Sequence, residues 1–493
     1  MPIRLDTELL RAKTVQLLGE VGLKVEHDEL SAIMLDKGCS QASSGRMLIP
    51  EPLIDEMVCC QEKTRAEDDD DQELVPWCGP DWTHWMMWSG QKEQVRERMR
   101  SEFLMPAFDC GPTQYYDYSS RELMAVDTDI FIEMMKLAEA TPEIGYISTW
   151  YRQDVTQPTE RIASLILGLQ YTTKVDGIES IDPAAMKYLI EIGEIMTGQP
   201  GDARYLAGSQ CLISPLILDH RAAEDMMERE RLGATKYHAA SMPTLGISTP
   251  VTVAGAIVIG AAEILGCLAA AYCLCPEGDL TGRMISTVAD MRTADAASAG
   301  PENVEVILGV KKLFDDHFGG HLWTEVYFSP STNRPGLQAV YQNFYAMSCY
   351  ARLAGDADLP YPGMGTLDNG GVGSPTQFML DMEIRKSQHA LKQDVEVSEE
   401  TLVFDDICER VDTGDTFLTS DHTLENFRDL WTSELFPLSV PETAADAGDE
   451  KRILDLCEER WRANVAAWEP PTVPEDTMRA LEGVLDRASN ELV

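Results

Sequence analysis

The chain contains few basic residues. Its 493 residues include 40 Lys and Arg against 83 Asp and Glu, which gives a formal net charge of −43. Because so acidic a surface repels phosphate groups, the composition excludes a nucleic-acid-binding protein and a protein that binds anionic membranes. Such a surface also repels itself unless salt screens it. We therefore expect a halophilic protein from a salt-rich cytoplasm, whose stability should rise between about 0.1 M and molar salt.

Cysteine is present, but it lacks the spacing of a disulfide framework. The twelve cysteines are scattered, and the close pairs, Cys59 with Cys60 and Cys273 with Cys275, are not of the Cys-x-x-Cys type. This usage predicts small buried residues in a reducing compartment. The N-terminus combines acidic residues with amphipathic spacing and has no apolar signal core, so the expected location is cytoplasmic.

Several common catalytic signatures are also missing from the sequence. It contains no Gly-x-Gly-x-x-Gly loop, no P-loop and no Gly-x-Ser-x-Gly elbow, which argues against a nucleotide-binding fold and a serine hydrolase. His317 and His321 are spaced like zinc ligands on a helix. The intervening Gly319 and Gly320 would end that helix and no adjacent glutamate is present, so no metal site is predicted.

The most informative stretch runs from Met242 to Gly266. A loop rich in Gly, Ser and Thr leads into a nearly uninterrupted apolar run, and Thr249-Pro250 is typical of a helix start. A helix that is apolar on all sides must be buried. The run is long enough to span a membrane, but it stands alone, includes Glu263 and lacks flanking basic residues, so a core helix is predicted. A strand is predicted just before the loop, over residues 235–241.

The remainder of the chain alternates short β-rich runs with helical patterns from about residue 104 onward, including a strand predicted over 144–151 and, after residue 360, helices predicted over 399–410 and 422–433. This alternation is typical of a parallel sheet with helical crossovers. Without a dinucleotide-binding loop, it favours an α/β fold of the closed (β/α)8 TIM-type barrel. The predicted organisation is a helical N-terminal region with an acidic, Trp-rich insertion at 63–100, a catalytic barrel and a helical C-terminal arm, at residues 1–103, 104–440 and 441–493, respectively.

Aromatic side chains cluster at the predicted strand ends, where a barrel binds its ligands. Aromatic faces attract a quaternary ammonium group by roughly 0.5–2 kcal/mol per ring. A single aromatic residue on a barrel strand usually belongs to the core, so this pattern alone does not decide between a role in the core and a role in ligand binding. The aromatic residues concerned, with one histidine, are Trp150, Tyr151, Tyr171, Tyr237, His238, Trp323 and Tyr327.

Four stretches in order resemble the trimethylamine methyltransferase family, from about residue 104 to the C-terminus. They are the Pro-Val-Thr-x-Ala-Gly segment within 242–266, Asp290-Met-Arg-Thr293, FSPSTNRPGLQAVYQ (328–342) and TGDTFLTSDHT (413–423). The resemblance implies transfer of a methyl group from a methylamine or betaine to the Co(I) corrinoid of a small cognate partner protein. It also implies a homo-oligomer. The resemblance places the corrinoid on that separate partner, so no cofactor is expected to be bound tightly by this chain.

The 328–342 stretch departs from the family pattern at the position that is pyrrolysine in trimethylamine-specific members. Matching Gln338-Ala339 to the family's Gln-Ala places Asn333 there, with Ser331 and Gly336 in place of the flanking aspartates. The resemblance therefore implies the non-pyrrolysine branch, similar to glycine betaine:corrinoid methyltransferases. Asn333 and Gln338 are expected to orient the substrate as catalytic residues. The expected substrate-binding residues are Tyr237, His238, Ile247, Ser248, Thr249, Trp323 and Tyr327.

Two alternatives stay open at this point. The same fold could act on another methyl donor, such as a dimethylsulfonio compound or a tertiary methylamine. Alternatively, the departures around Asn333 could mark a non-catalytic barrel that binds betaine. The sequence does not discriminate between these donors or between catalysis and binding.

Overall fold

The protein has a mixed α/β structure, in which long helices surround short parallel strands. This confirms the predicted α/β class. The computed structural model describes residues 3–67, 105–108, 111–178, 182–298, 300–319, 322–323, 329–354, 363–390, 395–436 and 449–493. Most of the insertion predicted at 63–100 lies outside these residues. Within the described residues, the strands do not form a continuous closed barrel.

The helices fall largely where the apolar periodicity predicts them. In chain order they are α1 (Thr7–Glu20), α2 (Asp28–Asp36), α3 (Glu51–Glu67), α4 (Thr128–Ala140), α5 (Glu160–Tyr171), α6 (Met186–Thr197), α7 (His220–Arg231), α8 (Val253–Leu274), α9 (Pro301–His317), α10 (Leu337–Ala354), α11 (Pro375–Ala390), α12 (Glu399–Leu402), α13 (Phe404–Thr413), α14 (Asp421–Asn426), α15 (Glu450–Ala466) and α16 (Glu475–Leu492).

The strands are shorter than the sequence pattern suggests. They are β1 (Lys24–Val25), β2 (Ser40–Gln41), β3 (Met47–Leu48), β4 (Met105–Ala107), β5 (Gln114–Asp117), β6 (Glu122–Ala125), β7 (Ile144–Ile147), β8 (Gln210–Cys211), β9 (Ile217–Leu218), β10 (Lys236–Ser241), β11 (Thr244–Leu245), β12 (Asp279–Met284), β13 (Thr287–Ala289), β14 (Ala296–Ala297), β15 (Leu322–Trp323), β16 (Thr366–Leu367) and β17 (Val372–Gly373).

The longest parallel sheet has the strand order β15-β12-β10-β8. β10 and β12 pair over their full length, with His238 opposite Thr281. Alternate side chains of a strand point to opposite faces. Ser241 contacts α8 on one face through its hydroxyl, and Met284 packs there against Gly260 of α8. His238, Thr281 and Arg283 therefore lie on the face turned away from α8.

A second parallel pair, β4 with β7, forms a separate two-stranded sheet. A single parallel bridge joins Ile147 to Val175, and the amide of Phe108 donates to the carbonyl oxygen of Met364 at 3.0 Å. The strand predicted over 144–151 ends at Ile147. Beyond it, the Thr149 carbonyl oxygen accepts a hydrogen bond from the Arg161 side chain instead of from a neighbouring strand.

Helix α8 is the apolar helix that the sequence predicts to be buried. Within the described residues it is the one helix long and apolar enough to cross a membrane, and 72% of its most apolar window is buried inside the protein. The prediction of a core helix is confirmed. The predicted start at Thr249-Pro250 is three residues too early, because the backbone of Thr252 is still extended.

The N-terminal and C-terminal helices pack on different parts of the molecule. Leu18 and Leu23 contact α8 at Gly266, where a Cβ atom would lie 3.2 Å from the Leu18 side chain. The C-terminal helices α15 and α16 bury Trp461 and Leu481 completely in a second core, which includes Phe131 of α4. Both terminal regions are therefore integral parts of the packed structure.

The helix predicted over 399–410 is broken in the structure. Val403 adopts a left-handed backbone conformation with φ of +48°, which separates α12 from α13. The helix predicted over 422–433 also ends early, at Asn426. In both cases the apolar periodicity continues through residues whose backbone leaves the helix.

Candidate functional site

The candidate site is built from the loops that follow three successive parallel strands. β10, β12 and β15 lie side by side in parallel, so their carboxyl ends point to the same edge of the sheet. In α/β folds this edge is where ligands bind. The loops in question are 242–252 after β10, 285–300 after β12, and 329–336 beyond β15. We call their combined edge the rim.

The first loop is joined to the second by backbone pairing and by a hydroxyl contact. Within it, β11 pairs in parallel with β13, and β13 pairs with β14. The hydroxyl oxygens of Thr244 and Thr287 lie 2.7 Å apart, and the Ser248 hydroxyl accepts from the Thr244 amide at 2.8 Å. Gly246 has φ of +85°, which lets the loop turn tightly there. The loop is held at its base, while Ile247 is 64% exposed.

The third loop, which carries Asn333, is tied to the second at its beginning. Ser298 lies just after β14, and its hydroxyl donates to the Ser329 carbonyl oxygen and lies 3.0 Å from the Asn369 amide oxygen. The Asn369 side chain in turn donates to the carbonyl oxygen of Ala296 at 3.2 Å. These contacts make the three loops one continuous rim, with Asn333 exposed at the tip of the third loop.

The end of the same loop is held by a buried polar cluster under α10 and α11. The Gln377 side chain accepts from the Gly336 amide at 3.2 Å and donates to Asp381 at 2.8 Å. Asp381 also accepts from the Gly365 amide and from the Asn343 side chain. Burial raises the pKa of Asp381 to about 7. The cluster fixes the point at which the chain enters α10.

The inner face of the sheet carries a buried histidine and a buried arginine. The Thr281 hydroxyl donates to the Tyr237 carbonyl oxygen, so its oxygen accepts from His238 Nδ1 at 2.7 Å. Arg283 lies two residues beyond Thr281 toward the rim and is 5% exposed. A guanidinium in that position attracts an anionic group.

Two buried serine hydroxyls lie at the same edge. Ser286 follows β12 and Ser329 lies beyond β15, and both side chains are almost completely buried. Within the part of the chain that the structure describes, neither hydroxyl oxygen makes a hydrogen bond. Because buried hydroxyls are normally paired, these two are candidates for contact with a ligand.

The structure brings some of the predicted site residues together and separates others. Ile247, Ser248, Thr249 and Asn333 all lie on the rim, and Gln338 is exposed on the first turn of α10. His238 is on the inner face, because the other face of β10 packs against α8. Tyr237 has the opposite orientation, because its ring packs in the core beneath the helices. It therefore does not share a wall with His238.

Two of the other predicted aromatic residues are described only in part or not at all. Trp323 belongs to β15 and pairs with Arg283 through the backbone, whereas Tyr327 lies outside the described residues. Of the aromatic residues at β7, Trp150 is fully buried, and Arg161 lies 3.8 Å from the centre of the Tyr151 ring.

Sequence reasoning missed the supporting residues of the rim. Arg283, Ser298, Asn369 and Asp381 lie in stretches that carry no recognisable motif of their own. The sequence could have indicated Arg283 as a site residue, since a basic residue inside a predicted strand is unusual in so acidic a chain. The other three become neighbours only through contacts that span more than thirty residues.

A model of the trimethylamine methyltransferase family (MTTB) matches residues 101–493. The chain belongs to this family. The predicted family and the predicted methyltransferase class are thereby confirmed. The shared segment contains the three rim loops and the inner face of the sheet described above.

Individual relatives carry two different substrate names. The trimethylamine methyltransferase MttB1 of Methanosarcina mazei is 29% identical over 431 residues, which cover 85% of this chain and 81% of the relative. The trimethylamine methyltransferase MttB of Desulfitobacterium hafniense is 25% identical over 290 residues, covering 57% and 55%. The glycine betaine methyltransferase of Desulfitobacterium hafniense is 24% identical over 289 residues, which are 57% of each chain. The chain thus spans little more than half of the two Desulfitobacterium proteins.

Proposed function

We propose that this protein transfers a methyl group from a quaternary amine of the glycine betaine type to the corrinoid of a partner protein. The observation that carries the proposal is Arg283, a buried cation on the inner face near the rim. A guanidinium suits a substrate that bears a carboxylate as well as its quaternary ammonium group. Asn333, at the position that is pyrrolysine in trimethylamine-specific relatives, points in the same direction.

The chemistry of the donor sets what the chain must supply. Loss of a methyl group from a quaternary nitrogen leaves a neutral tertiary amine, so the leaving group needs no general acid. The partner's corrinoid would supply a Co(I) nucleophile that accepts the methyl group. The protein itself must align the N–CH3 bond with the opening of the site and exclude water. The hydroxyl, amide and guanidinium groups of the rim fit substrate binding, with the cofactor approaching from a separate protein.

The roles follow from the positions of the residues. Arg283 would bind the carboxylate, together with Thr249 and the first amides of α8, which lack a side-chain cap at Thr252. Asn333 and Gln338 would orient the substrate from the third loop. The wall of the ammonium pocket would be completed by His238 of the inner face, by Ile247 and Ser248 of the rim, and by Trp323 and Tyr327, which the sequence predicts near a strand end. Ser286 and Ser329 are added to this set because their hydroxyls are buried at the same edge.

The proposal includes a closed (β/α)8 barrel as the scaffold of this site. Two parallel strand sets, the bridge at Val175 and the hydrogen bond from Phe108 to Met364 support a circular order of strands. We extend the proposal to the domain boundaries near residues 104 and 440, a cytoplasmic location and a homo-oligomer. A barrel would bring the carboxyl ends of all eight strands to the rim side.

Methylation of free cob(I)alamin by the purified protein tests the function. The assay is run in molar salt with glycine betaine, proline betaine, carnitine, dimethylsulfoniopropionate, dimethylamine and trimethylamine as donors. We expect methylcobalamin from one or more of the betaines and none from trimethylamine. Turnover of the sulfonium compound or of a methylamine alone would assign the other donor class. Betaine binding by calorimetry without turnover of any donor would favour the non-catalytic alternative.

Asn333 provides the sharpest test of the rim. Replacing Asn333 with alanine is expected to lower kcat for methyl transfer by about 10- to 100-fold, because mispositioning of a reacting bond is costly even when binding persists. The thermal unfolding midpoint should not change, since the Asn333 side chain is exposed. Arg334→Ala, at the neighbouring exposed position, is the matched control. Unchanged transfer by the Asn333 variant would exclude the third loop from the site.

A further inference from the structure

The segment from Val395 to Trp431, here called the amphipathic segment, packs against little else in the described structure. None of its three helices, α12, α13 and α14, has a buried residue. It exposes a large number of bulky apolar side chains, each at least 39% accessible: Val395, Val397, Leu402, Phe404, Ile407, Val411, Phe417, Leu418, Leu424, Phe427, Leu430 and Trp431. Soluble monomers rarely expose an apolar patch of more than a few hundred Å², so this segment needs a partner surface.

The residues of helix α13 indicate what kind of partner surface the amphipathic segment needs. Phe404, Ile407 and Val411 recur at helical spacing on one face, together with Cys408. The opposite face carries Asp405, Asp406, Glu409 and Asp412, together with Arg410, which pairs with Asp406 at 2.9 Å. A helix of this type binds in an apolar groove with its charged face toward solvent, and its acidic edges favour a groove without acidic neighbours.

Helix α10 of the same chain offers such a surface. Leu337, Tyr341, Phe344, Ser348 and Arg352 lie on one face of it at intervals of three or four residues, and all five are exposed. We call this face the α10 stripe. In a chain with 83 acidic residues, residues 329–354 contain no Asp or Glu at all. Their charged residues are Arg334, three residues before the stripe, and Arg352 at its end, while the Glu450 carboxylate of α15 accepts from the Leu337 amide at the start of the stripe.

We propose that the amphipathic segment of one copy docks on the α10 stripe of a second copy, and that the exchange is reciprocal. Each chain then carries one acidic, apolar helix face and one apolar helix face with little net charge, which match in helical spacing and do not repel each other. A two-fold axis pairs both faces of both chains at once. A different partner protein on either face would leave the other face of this chain exposed.

The available area is sufficient for a stable dimer. The twelve apolar side chains of the segment expose on the order of 1,000 Å² per chain, against about 800 Å² per partner in an interface of standard size. The root of the segment is also fixed to the body of its own chain. Glu383 of α11 accepts hydrogen bonds from the Ser433 hydroxyl and from the Glu434 amide. Each segment would thus project from a rigid base toward the second copy.

The oligomeric state of the full chain in molar salt tests the proposal. Light scattering or sedimentation equilibrium should give a particle of twice 54.7 kDa, or a multiple of it. The double variant Phe404→Ser with Ile407→Ser disrupts the segment, and Tyr341→Ser with Phe344→Ser disrupts the α10 stripe. Both are expected to weaken dimerisation at least 100-fold and to leave the unfolding midpoint of the monomer unchanged, because all four side chains are exposed. Leu123→Ser with Met124→Ser, at exposed apolar positions of β6, should remain dimeric.

Mixing the segment variant with the stripe variant distinguishes the reciprocal exchange from other ways of covering these two surfaces. One intact segment and one intact stripe then meet in the mixed pair, so a dimer should reappear at high concentration although neither variant dimerises alone. No recovery in the mixture would overturn the reciprocal exchange in favour of a segment that folds back on its own chain or pairs with another segment. A wild-type monomer would also overturn it. So would a monomer that assembles only when a corrinoid protein is added, because it would assign the surface to that protein.

Discussion

Replacing Arg283 with methionine is expected to lower kcat/KM for glycine betaine by roughly 10- to 150-fold. A hydrogen bond to a charged group contributes about 1.5–3 kcal/mol, and each 1.4 kcal/mol corresponds to a factor of ten. Most of the loss should lie in KM, since the carboxylate is equally charged before and during methyl transfer. Arg283→Lys should retain part of the activity, because lysine keeps the charge but loses the bidentate geometry.

Tetramethylammonium is the control substrate for this prediction. It carries the quaternary nitrogen but no carboxylate, so its transfer rate should stay constant or rise when Arg283 is replaced. A parallel loss of activity toward both compounds would show that Arg283 supports the fold and does not bind the carboxylate. The unfolding midpoint of each variant is measured alongside, because the side chain is buried.

Replacing Glu263 with alanine is expected to destabilise the protein by about 3–5 kcal/mol. Glu263 lies in the middle of α8 and is fully buried. Its carboxylate accepts from the Leu216 amide at 2.9 Å, from the Ser214 hydroxyl at 2.9 Å and from the Ser241 hydroxyl. Alanine would leave these donors without an acceptor and open a cavity between α8 and the end of β10. Urea unfolding in molar salt measures the effect.

Glu263→Gln separates the hydrogen bonds from the charge. The amide oxygen can still accept from Leu216, and the serine hydroxyls can rotate to accept, so the cost in unfolding free energy should be below about 1 kcal/mol at low pH.

Burial raises the pKa of Glu263. The folded protein therefore holds a proton that the unfolded chain loses above its pKa of about 4.3. The wild-type free energy of unfolding must then fall as the pH rises from the unfolded pKa through the folded pKa, and it stays reduced above both.

The glutamine variant lacks this dependence, so its stability relative to wild type should improve as the pH rises through that window. Glu459→Gln removes the same charge from an exposed position of α15 and controls for the relief of general repulsion in so acidic a chain. If the stabilities of Glu263→Gln and Glu459→Gln relative to wild type change with pH in parallel, the carboxyl group of Glu263 does not cause the pH dependence.

The helices were predictable from the sequence to within a few residues because their signal is local. The apolar spacing of α4, α9 and α16 involves residues one turn apart, so the pattern is visible in the sequence itself. The strands were harder to predict. A strand ends where its carbonyl oxygens find other donors, and at Thr149 that donor is the Arg161 side chain. The predicted strand therefore runs beyond the real one.

The same distinction between local and long-range signals applies to the candidate site. The loops 242–252 and 329–336 were located from their residues and from the resemblance to a family, without knowledge of their distance from each other. Tyr237 and His238 show the limit of this reasoning. They are adjacent in sequence and both aromatic, yet they lie on opposite faces of the sheet, and only the packing against α8 decides which face is inside.

The sequence by itself determined the acidic surface, the helical periodicity, the buried α8 and membership of a methyltransferase family, since each depends on composition or on residues near each other in the chain. The tertiary structure decided which polar groups meet. Ser298 with Ser329 and Asn343 with Asp381 are partners across more than thirty residues, and Arg283 lies on the inner face because Met284 packs against α8. These pairings have no local signature, because they come from the order in which the parallel strands lie side by side.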